Sequence, residues 1–207
     1  FIAELIFNLR SSKLQYILRT AYVIPLIVPG VVGILMWVNI YDPNYGLLNH
    51  FLKAVGLQSW IRVWLGDAKI SLWAIIFMGF PWIGAFPLLL FYGGLITIPT
   101  DLFDAAKVDG ASAWDIFRSI MLPLSFPATS TVIILSLIGG LRSFDLIWTT
   151  TQGGPGFASD VIASVIYKQY QAGFYGLSTA GNVILFIVVT AIIYPLSRWL
   201  NSKEVAQ

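Results

Sequence analysis

Four long apolar runs dominate the sequence, and their length constrains the fold more than any other feature. A helix that crosses a hydrocarbon core of about 30 Å needs roughly 20 consecutive apolar residues. Runs of this kind lie at 21–40, 70–98, 124–141 and 177–196. A shorter apolar stretch at 1–9 is interpreted as the end of a preceding span. Because helices satisfy their own backbone in lipid, the pattern predicts an all-α, polytopic membrane helix bundle.

The composition agrees with this prediction. Of the 207 residues, 57% are hydrophobic and only 11% are charged, whereas soluble domains carry about a quarter charged residues. The net charge is only +2 and the basic residues are scattered, which argues against a nucleic-acid partner. No cysteine is present, which excludes disulfides and thiolate metal sites. The sequence opens at Phe1 without an initiator methionine, so we interpret it as a fragment whose N-terminal part is missing.

Prolines and glycines interrupt two of the runs. Pro25 and Pro29 predict a kinked span at 21–40. The run at 70–98 would extend about 43 Å as one helix, at roughly 1.5 Å per residue, and would therefore exceed the bilayer. Pro81 and Pro87 predict that it is tilted or broken, as in helices that line a polar path. Its glycines are explained equally well by close helix packing.

The polar segments between the runs predict an orientation. Alternation places 10–20, 99–122 and the tail 197–207 on one side, with seven lysine and arginine residues against five elsewhere. The positive-inside rule favours that side as cytoplasmic. Segments 41–69 and 147–176 are then external loops.

The first external loop contains a predicted amphipathic helix. Its apolar positions share one face at helical spacing, and they are Leu47, Leu48, Phe51, Leu52 and Val55. Trp60 and Trp64 follow, and indole rings concentrate at the membrane boundary. The helix is therefore expected to lie at the interface or to bind a partner protein.

A polar insert at 99–127 separates two apolar runs. It carries four of the ten acidic residues, namely Asp101, Asp104, Asp109 and Asp115. Thr100 or Asp101 is the expected N-cap of a first helix, and Gly110 is its expected end. Spread around a helix, these aspartates would not form the oxygen cage that a magnesium or calcium ion requires.

A second helix is predicted to begin at Ser112. Asp115 follows three residues later, which is an approximate capping box. We expect Asp115 to pair with Arg118, and Pro123 to end the helix. The insert is thus predicted to be a two-helix knob that another protein could bind, and a solvated charged turn is the alternative.

Several catalytic arrangements are missing from the sequence. No G-x-x-x-x-G-K-[ST] motif occurs, so the chain has no P-loop with which to hold ATP. The single histidine, His50, falls in an expected external helix and is interpreted as a surface residue. The sequence therefore predicts no enzyme.

Residues 104–123, D-A-A-K-V-D-G-A-S-A-W-D-I-F-R-S-I-M-L-P, closely resemble the EAA signature of permease subunits of bacterial ABC importers, in the carbohydrate-uptake branch. Further runs resemble that branch in the same order, and these are R-T-A-Y-V-I-P from Arg19, Y-G-L-L-N from Tyr45, L-I-T-I-P before the insert and F-D-L-I-W-T-T-T-Q-G-G-P from Phe144. The resemblance covers nearly the whole chain. The G-G-P element is more similar to the first of the two paired permeases, of the maltose and glycerol-phosphate type, than to the second.

The resemblance implies a type I ABC importer transmembrane fold and an ATP-driven import function for a sugar or related polyol. The first helix of the insert would be the coupling helix, which docks in a cleft of a cytoplasmic ATPase. Asp104 occupies the position where the family usually has glutamate. The remaining matched positions are Ala105, Ala106, Asp109, Gly110 and Ala111.

The resemblance also implies the surroundings of the chain. These are the cytoplasmic membrane of a bacterium or archaeon with its lipid, a second permease subunit, two ATPase subunits and an external solute-binding protein. ATP and magnesium would be bound by the ATPase, and this chain is expected to bind no cofactor.

Candidate substrate contacts lie near the interrupted helices. They are Trp82 and Gly84 in the run 70–98, and Ser143, Phe144 and Asp145 after an expected break at Gly139 and Gly140. Aromatic faces stack on sugar rings, and polar groups read sugar hydroxyls. Asp145 could instead pair with Arg142.

Two other classes of function compete with an ABC permease. An ion-coupled carrier acting alone would also use interrupted helices, but no run is rich in ionisable residues and no inverted repeat is visible. A membrane-embedded enzyme lacks the nucleophile and metal sets it would need.

Overall fold

The structure, a computed structural model, describes residues 2–9, 11–78 and 84–204, and every regular element within them is a helix. The all-α prediction is therefore confirmed. A 3₁₀ turn at Ile24–Ile27 follows α2, and a π-helical segment at Phe117–Met121 joins α8 to α9. In chain order the helices are α1 Ile2–Phe7, α2 Ser12–Val23, α3 Gly30–Ile40, α4 Leu47–Ala54, α5 Ser71–Phe77, α6 Ala85–Ile96, α7 Thr100–Val108, α8 Ala113–Ile116, α9 Leu122–Leu124, α10 Phe126–Leu141, α11 Asp145–Thr150, α12 Ile162–Gln171 and α13 Tyr175–Glu204.

Helix α13 is the one helix of the described residues that could cross a membrane alone by length and composition. Three bent pairs meet the same criteria if each pair counts as one span, which gives up to four spans. These pairs are Ser12–Ile27 with Gly30–Ile40, Ala85–Ile96 with Thr100–Val108, and Ala113–Leu124 with Phe126–Leu141. Only 6% of the most apolar window of α13 is buried within the chain, which leaves its apolar surface to lipid or to another subunit.

The chain divides into two units, which are described separately. The first contains the described parts of Phe1–Ile27, Ile83–Ile138 and Thr190–Gln207. Its core joins α1, α6 and the π-helical segment through buried apolar side chains, which are Ala3, Ile6, Leu88, Tyr92, Leu95, Ile98 and Met121. The Gln15 side chain caps the C-terminal end of α1, because its side-chain amide donates to the carbonyls of Phe7 and Leu9 at 2.8 and 2.9 Å.

Helices α6 and α10 approach each other closely in the first unit. A Cβ placed on Gly94 would lie only 2.9 Å from the Cβ of Ala128. Small residues on both sides let the two backbones come together, as is common in membrane helix packing. The two helices that flank the polar insert are therefore in contact near its base.

The second unit contains the described parts of Val28–Trp82 and Gly139–Val189. Its core consists of Tyr41, Ala74, Ile75, Met78 and Ile147. The hydroxyl of Tyr41 donates to the carbonyl of Ala74 at 3.1 Å, which satisfies a polar atom inside this core.

The predicted amphipathic helix is confirmed as α4, but only part of its apolar face is buried. Leu52 is buried, whereas Leu47 and Phe51 are exposed. The buried polar residue Asn49 takes the inward position because its amide donates to the carbonyl of Arg62 at 3.0 Å and its oxygen accepts from the Trp64 indole at 2.8 Å. The Trp64 side chain is therefore anchored inside the chain by this hydrogen bond and is not available as an exposed interfacial ring.

Two expected boundaries near the membrane edge are wrong. The segment 10–20 was expected to be a loop, yet α2 begins at Ser12, since lysine, glutamine and arginine are good helix formers. The tail from 197 was expected to follow the last span, yet α13 continues through Pro195 to Glu204. Proline is tolerated in membrane helices when neighbouring groups satisfy the released carbonyl.

Two further expectations about helix ends are confirmed. The run 70–98 is interrupted, because α5 ends at Phe77 and α6 begins at Ala85. The span expected at 124–141, with its end at Gly139 and Gly140, is found as α10, which passes through both glycines and ends one residue later at Leu141. A glycine costs a helix about 1 kcal/mol, which is less than the several kcal/mol of an unpaired backbone group in lipid.

Candidate functional site

The first helix of the polar insert is largely exposed. No residue of α7 is buried, and Phe103 attaches the helix to the first unit through its ring, 5.9 Å from that of Phe7. The expected N-cap at Thr100 or Asp101 is wrong, because the cap is Pro99, which has no N–H group to leave unpaired. Asp101 lies in the first turn, where the helix dipole favours a negative charge.

Asp104 has a partner within its own helix. The Lys107 ammonium lies 3.0 Å from the Asp104 carboxylate, and both side chains are mostly exposed, at 65% and 72%. An exposed pair at this spacing contributes only about 0.3–0.5 kcal/mol. Asp104 can therefore exchange Lys107 for another cation at little cost.

The predicted glycine corner and capping box are both confirmed. Gly110 has φ of +77°, and the Ala111 amide donates to the carbonyl of Ala106 at 2.9 Å. Ser112 then begins the next helix: its amide and hydroxyl donate to Asp115, while the Asp115 amide donates to the Ser112 hydroxyl. These bonds from the side chain and backbone of Ser112 hold the pKa of Asp115 below its ordinary value.

The second part of the insert departs from the prediction. Neither of the ion pairs found among the described residues joins Asp115 to Arg118, because the Asp115 carboxylate is bound by Ser112 instead. Pro123 was expected to end the helix but lies inside α9, directly after the π-helical segment, where a missing N–H is tolerated.

Two exposed apolar side chains in the insert were missed by sequence reasoning. Val108 is 87% exposed and Trp114 is 64% exposed, on either side of the Gly110 corner. Large exposed apolar groups at the tip of a polar segment are typical of a protein contact. The available signal was Trp114 itself, a large apolar side chain inside a polar segment.

A cavity of about 450 Å³ lies in the second unit. Three segments line it: the turn before α11, the inner face of α12 and the first half of α13. The lining side chains are Arg142, Phe144, Ala163, Ile166, Tyr167, Tyr170, Ser178, Asn182 and Leu185. This volume falls within the about 300–1,000 Å³ that is usual for small-molecule sites.

Three of the lining rings, Phe144, Tyr167 and Tyr170, belong to an aromatic cluster that also contains Trp148. The Tyr167 ring meets Phe144 at 5.1 Å and Trp148 at 4.7 Å between centroids, both edge to face. Phe144 and Trp148 are stacked at 5.6 Å, and Tyr170 continues the series 6.3 Å from Tyr167. The three lining rings, the aromatic wall of the cavity, thus offer ring faces and phenol hydroxyls to a ligand that is both apolar and hydroxylated.

Three polar residues also line the cavity. Asn182 and Ser178 lie one turn apart on α13, and the Asn182 amide donates to the Ser178 carbonyl at 3.2 Å. Arg142 supplies a positive charge and is exposed. An amide, a hydroxyl and a guanidinium in the same cavity as aromatic rings can orient a polyhydroxylated molecule.

The predicted substrate residues are divided by the structure. Phe144 lines the cavity, whereas Asp145 is exposed at the start of α11 and makes no ion pair with Arg142 among those found in the described residues. Ser143 precedes Phe144 and is not a lining residue. Gly84 belongs to the first unit, where it is the N-cap of α6. Trp82 lies outside the described residues.

His50 lies at the surface, as expected. Its ring nitrogen Nδ1 is 3.0 Å from the Gly46 carbonyl, one turn earlier on α4. This bond attaches the side chain to its own helix.

Sequence comparisons identify relatives that match most of the chain. The trehalose/maltose transport system permease protein MalF of Thermococcus litoralis is 36% identical over 84% of this chain and 58% of its own length. A probable ABC transporter permease of Pyrococcus horikoshii is 30% identical over 90% of this chain and 64% of its own. The galactooligosaccharides transport system permease protein GanP of Bacillus subtilis is 32% identical over 91% of this chain and 46% of its own length. This chain therefore spans about half to two thirds of the length of these relatives.

The fold has a counterpart among solved structures. A chain of the bacterial ABC transporter involved in import of the acidic polysaccharide alginate superimposes with a TM-score of 0.85 at 22% identity, over 97% of this chain and 70% of that one. A chain of the bacterial alginate ABC transporter in complex with an alginate-pentasaccharide-bound periplasmic protein superimposes with a TM-score of 0.83. Its sequence identity is 22%, and the match covers 94% of this chain and 68% of that one. The expected type I ABC importer permease fold is confirmed.

The family match extends over nearly every residue. It covers residues 1–204, and so includes the polar insert, the aromatic cavity and α13. The resemblance stated from the sequence is confirmed. This chain belongs to the family of binding-protein-dependent transport system inner membrane components.

Proposed function

We propose that this chain is the transmembrane permease subunit of an ATP-driven importer for a sugar or related polyol. The observation that carries the proposal is the family match over residues 1–204, because that family depends on a binding protein for transport. The same dependence favours this function over an ion-coupled carrier acting alone. Relatives named for trehalose, maltose and galactooligosaccharides favour a saccharide as the solute.

The cavity in the second unit is the proposed saccharide contact. The lining rings of Phe144, Tyr167 and Tyr170 offer a surface on which the C–H face of a sugar ring can stack. Asn182 and Ser178 line the same cavity and would bind hydroxyl groups. The predicted path residues Ser143 and Asp145 adjoin this contact in sequence, and Gly84 and Trp82 stay proposed members of the path.

The polar insert at 99–122 is the proposed coupling loop. Helix α7 with Asp104, Ala105 and Ala106 would enter a cleft of a cytoplasmic ATPase, and the corner at Asp109, Gly110 and Ala111 would fix the direction of α8. Exposure of α7 and the weak internal pair of Asp104 support this role. In this proposal Val108 and Trp114 add apolar contacts beside the Asp104 charge.

The remaining partners follow from the same proposal. A second permease subunit completes the translocation path, two ATPase subunits bind ATP and magnesium, and a solute-binding protein delivers the sugar to loops 41–69 and 147–176. The chain forms one permease domain in the cytoplasmic membrane of a bacterium or archaeon and binds no cofactor. Hydrolysis belongs to the ATPase, so this subunit is not itself an enzyme.

The coupling role of Asp104 is tested by reversing its charge. We propose that Asp104 pairs with a basic residue of the ATPase cleft. Asp104→Arg, expressed with the partner subunits, is therefore expected to reduce uptake of labelled maltose and trehalose to background, because the arginine would repel that residue as well as Lys107. Co-purification of the ATPase with the permease should fall in parallel.

Asp104→Glu is the matched control. It keeps the charge and adds one methylene of reach, so uptake and co-purification should equal or exceed those of the wild type. Unchanged uptake by Asp104→Arg, or an intact permease that never retains an ATPase, would show that the insert does not couple transport to ATP hydrolysis.

A further inference from the structure

We propose that the Gly153-Gly154-Pro155 turn is a socket for the Asp160 carboxylate, and that Asp160, held there with Lys168, positions the aromatic wall of the saccharide cavity. Lys168 and Asp160 are thus positioning residues that act through α12. This inference rests on the proposed function in taking the cavity as the saccharide contact.

The socket depends on a residue without a side chain. Gly153 has φ of +88°, and a Cβ there would collide with Asp160 Oδ1 and approach Lys168 Nζ to 2.7 Å. The space that a side chain would occupy is filled by the ion pair. Any other residue at 153 would therefore displace the pair as well as strain the backbone.

Hydroxyl groups close the turn around the socket. The Ser159 hydroxyl, fully buried, donates to the Gly154 carbonyl at 2.6 Å and lies 2.6 Å from the Thr151 hydroxyl. The Ser159 amide donates to the Gly153 carbonyl at 3.2 Å. The two ends of the turn are thereby joined just before Asp160.

The ion pair is partly shielded from water. Lys168 Nζ lies 2.8 and 2.7 Å from the two Asp160 oxygens, and the Asp160 side chain is 9% exposed against 30% for that of Lys168. The Ser164 hydroxyl also donates to Asp160 Oδ1 at 2.8 Å. Loss of the Lys168 charge would leave a largely buried carboxylate with a hydroxyl as its remaining side-chain partner, so the chain would rearrange locally.

The pair links the turn to the cavity through one short helix. Asp160 precedes α12 and Lys168 is inside it, while Tyr167, Ile166 and Tyr170 of the same helix line the cavity. On the other side, Gly181 of α13 admits Ile166 so closely that a Cβ would lie 2.8 Å from its Cγ1. A helix of ten residues has little stability alone. Its rotation, and so the direction of the Tyr167 ring, is fixed by these two contacts.

The first test measures selectivity in cells that carry the complete transporter. Lys168→Met keeps the length of the side chain but removes its charge. We expect it to change the ratio of trehalose to maltose uptake, measured together with two labels, by about threefold or more, because pocket geometry sets discrimination. A ratio does not depend on how much transporter reaches the membrane, so a loss of folded protein alone would leave it unchanged.

Lys168→Arg and Lys13→Met are the matched controls. Arginine can restore a charged partner for Asp160 and should return the ratio toward that of the wild type. Lys13 is an exposed lysine of α2 in the first unit, outside the proposed contacts with the sugar and the solute-binding protein, and its loss should have no effect. Gly153→Ala should alter the ratio as Lys168→Met does, and the double variant should be no worse than either single variant, since both act through Asp160.

The second test needs no transported solute. Hydrogen–deuterium exchange of the purified wild-type and Lys168→Met complexes in nanodiscs should show faster exchange across 162–171 in the variant. Unchanged exchange overturns the inference, and so does faster exchange with an unchanged uptake ratio or additive effects of the two variants. If the wild type takes up neither sugar, the saccharide assignment fails for these solutes, and exchange alone decides whether Lys168 holds α12.

Discussion

Gly110→Val is expected to abolish sugar uptake while the permease still inserts into the membrane. Gly110 has φ of +77°, and a left-handed backbone costs a residue with a side chain about 1–2 kcal/mol, with β-branched valine among the worst accommodated. No atom lies within 4 Å of the position of a Cβ, so the effect would come from the backbone and not from a collision. The turn at Gly110 would change its conformation, and the angle between α7 and α8 would change with it.

The measurements are uptake, ATPase retention and permease content of the membrane fraction. Gly110→Asn is the matched control, because asparagine adopts the left-handed region more readily than valine and should retain most uptake. Gly93→Val adds the same side chain at an open helical position of α6 and should be tolerated. Normal uptake by Gly110→Val would refute a coupling role for the corner, and poor insertion would assign the glycine to folding.

Tyr167→Ala is expected to reduce uptake of a stacked saccharide by about tenfold or more, since burial of a large apolar side chain is worth about 1.5–3 kcal/mol and each 1.4 kcal/mol or so corresponds to about tenfold in binding. Tyr167 is the ring that contacts both Phe144 and Trp148 at the cavity wall. Its loss would remove the central ring of the stacking surface and would allow the Phe144 and Trp148 side chains to adopt other rotamers. Initial rates of labelled maltose and trehalose uptake provide the measurement.

Tyr167→Phe preserves the ring and should keep most of the uptake, with a smaller loss if the hydroxyl binds the sugar. Tyr16→Ala removes an exposed tyrosine of α2, outside the proposed contacts with the sugar and the binding protein, and should change little. Equal losses in Tyr16→Ala and Tyr167→Ala would point to general instability. Full uptake by Tyr167→Ala would exclude this wall as the sugar contact.

The insert was largely predictable because its main determinants are local. The Ser112–Asp115 capping box joins residues three apart, and Gly110 terminates α7 through its own backbone conformation. The π-helical segment was not predictable, because it depends on Met121 being drawn into a core built from α1 and α6. The intrahelical Asp104–Lys107 pair was overlooked although its spacing allows it.

The cavity was only partly predictable because its walls come from distant parts of the sequence. Phe144 was found by its position near a suspected helix break. Tyr167 was not, since the segment 147–176 was interpreted as a loop, and Asn182 was not singled out within the apolar run 177–196. The tyrosines at 167 and 170 share a helical face, which was the available signal. The contact of Gly181 with Ile166 arises only when α12 and α13 pack.

The close approach of Gly94 and Ala128 has a mechanical consequence for the insert. Because α6 and α10 are in contact where the insert joins them, the insert is anchored at both ends to a packed helix pair. A force applied to the insert cannot push α6 and α10 apart, so it moves the two helices together. A bulky residue at 94 would separate the two helices, and movement of the insert would then no longer be passed on to both of them.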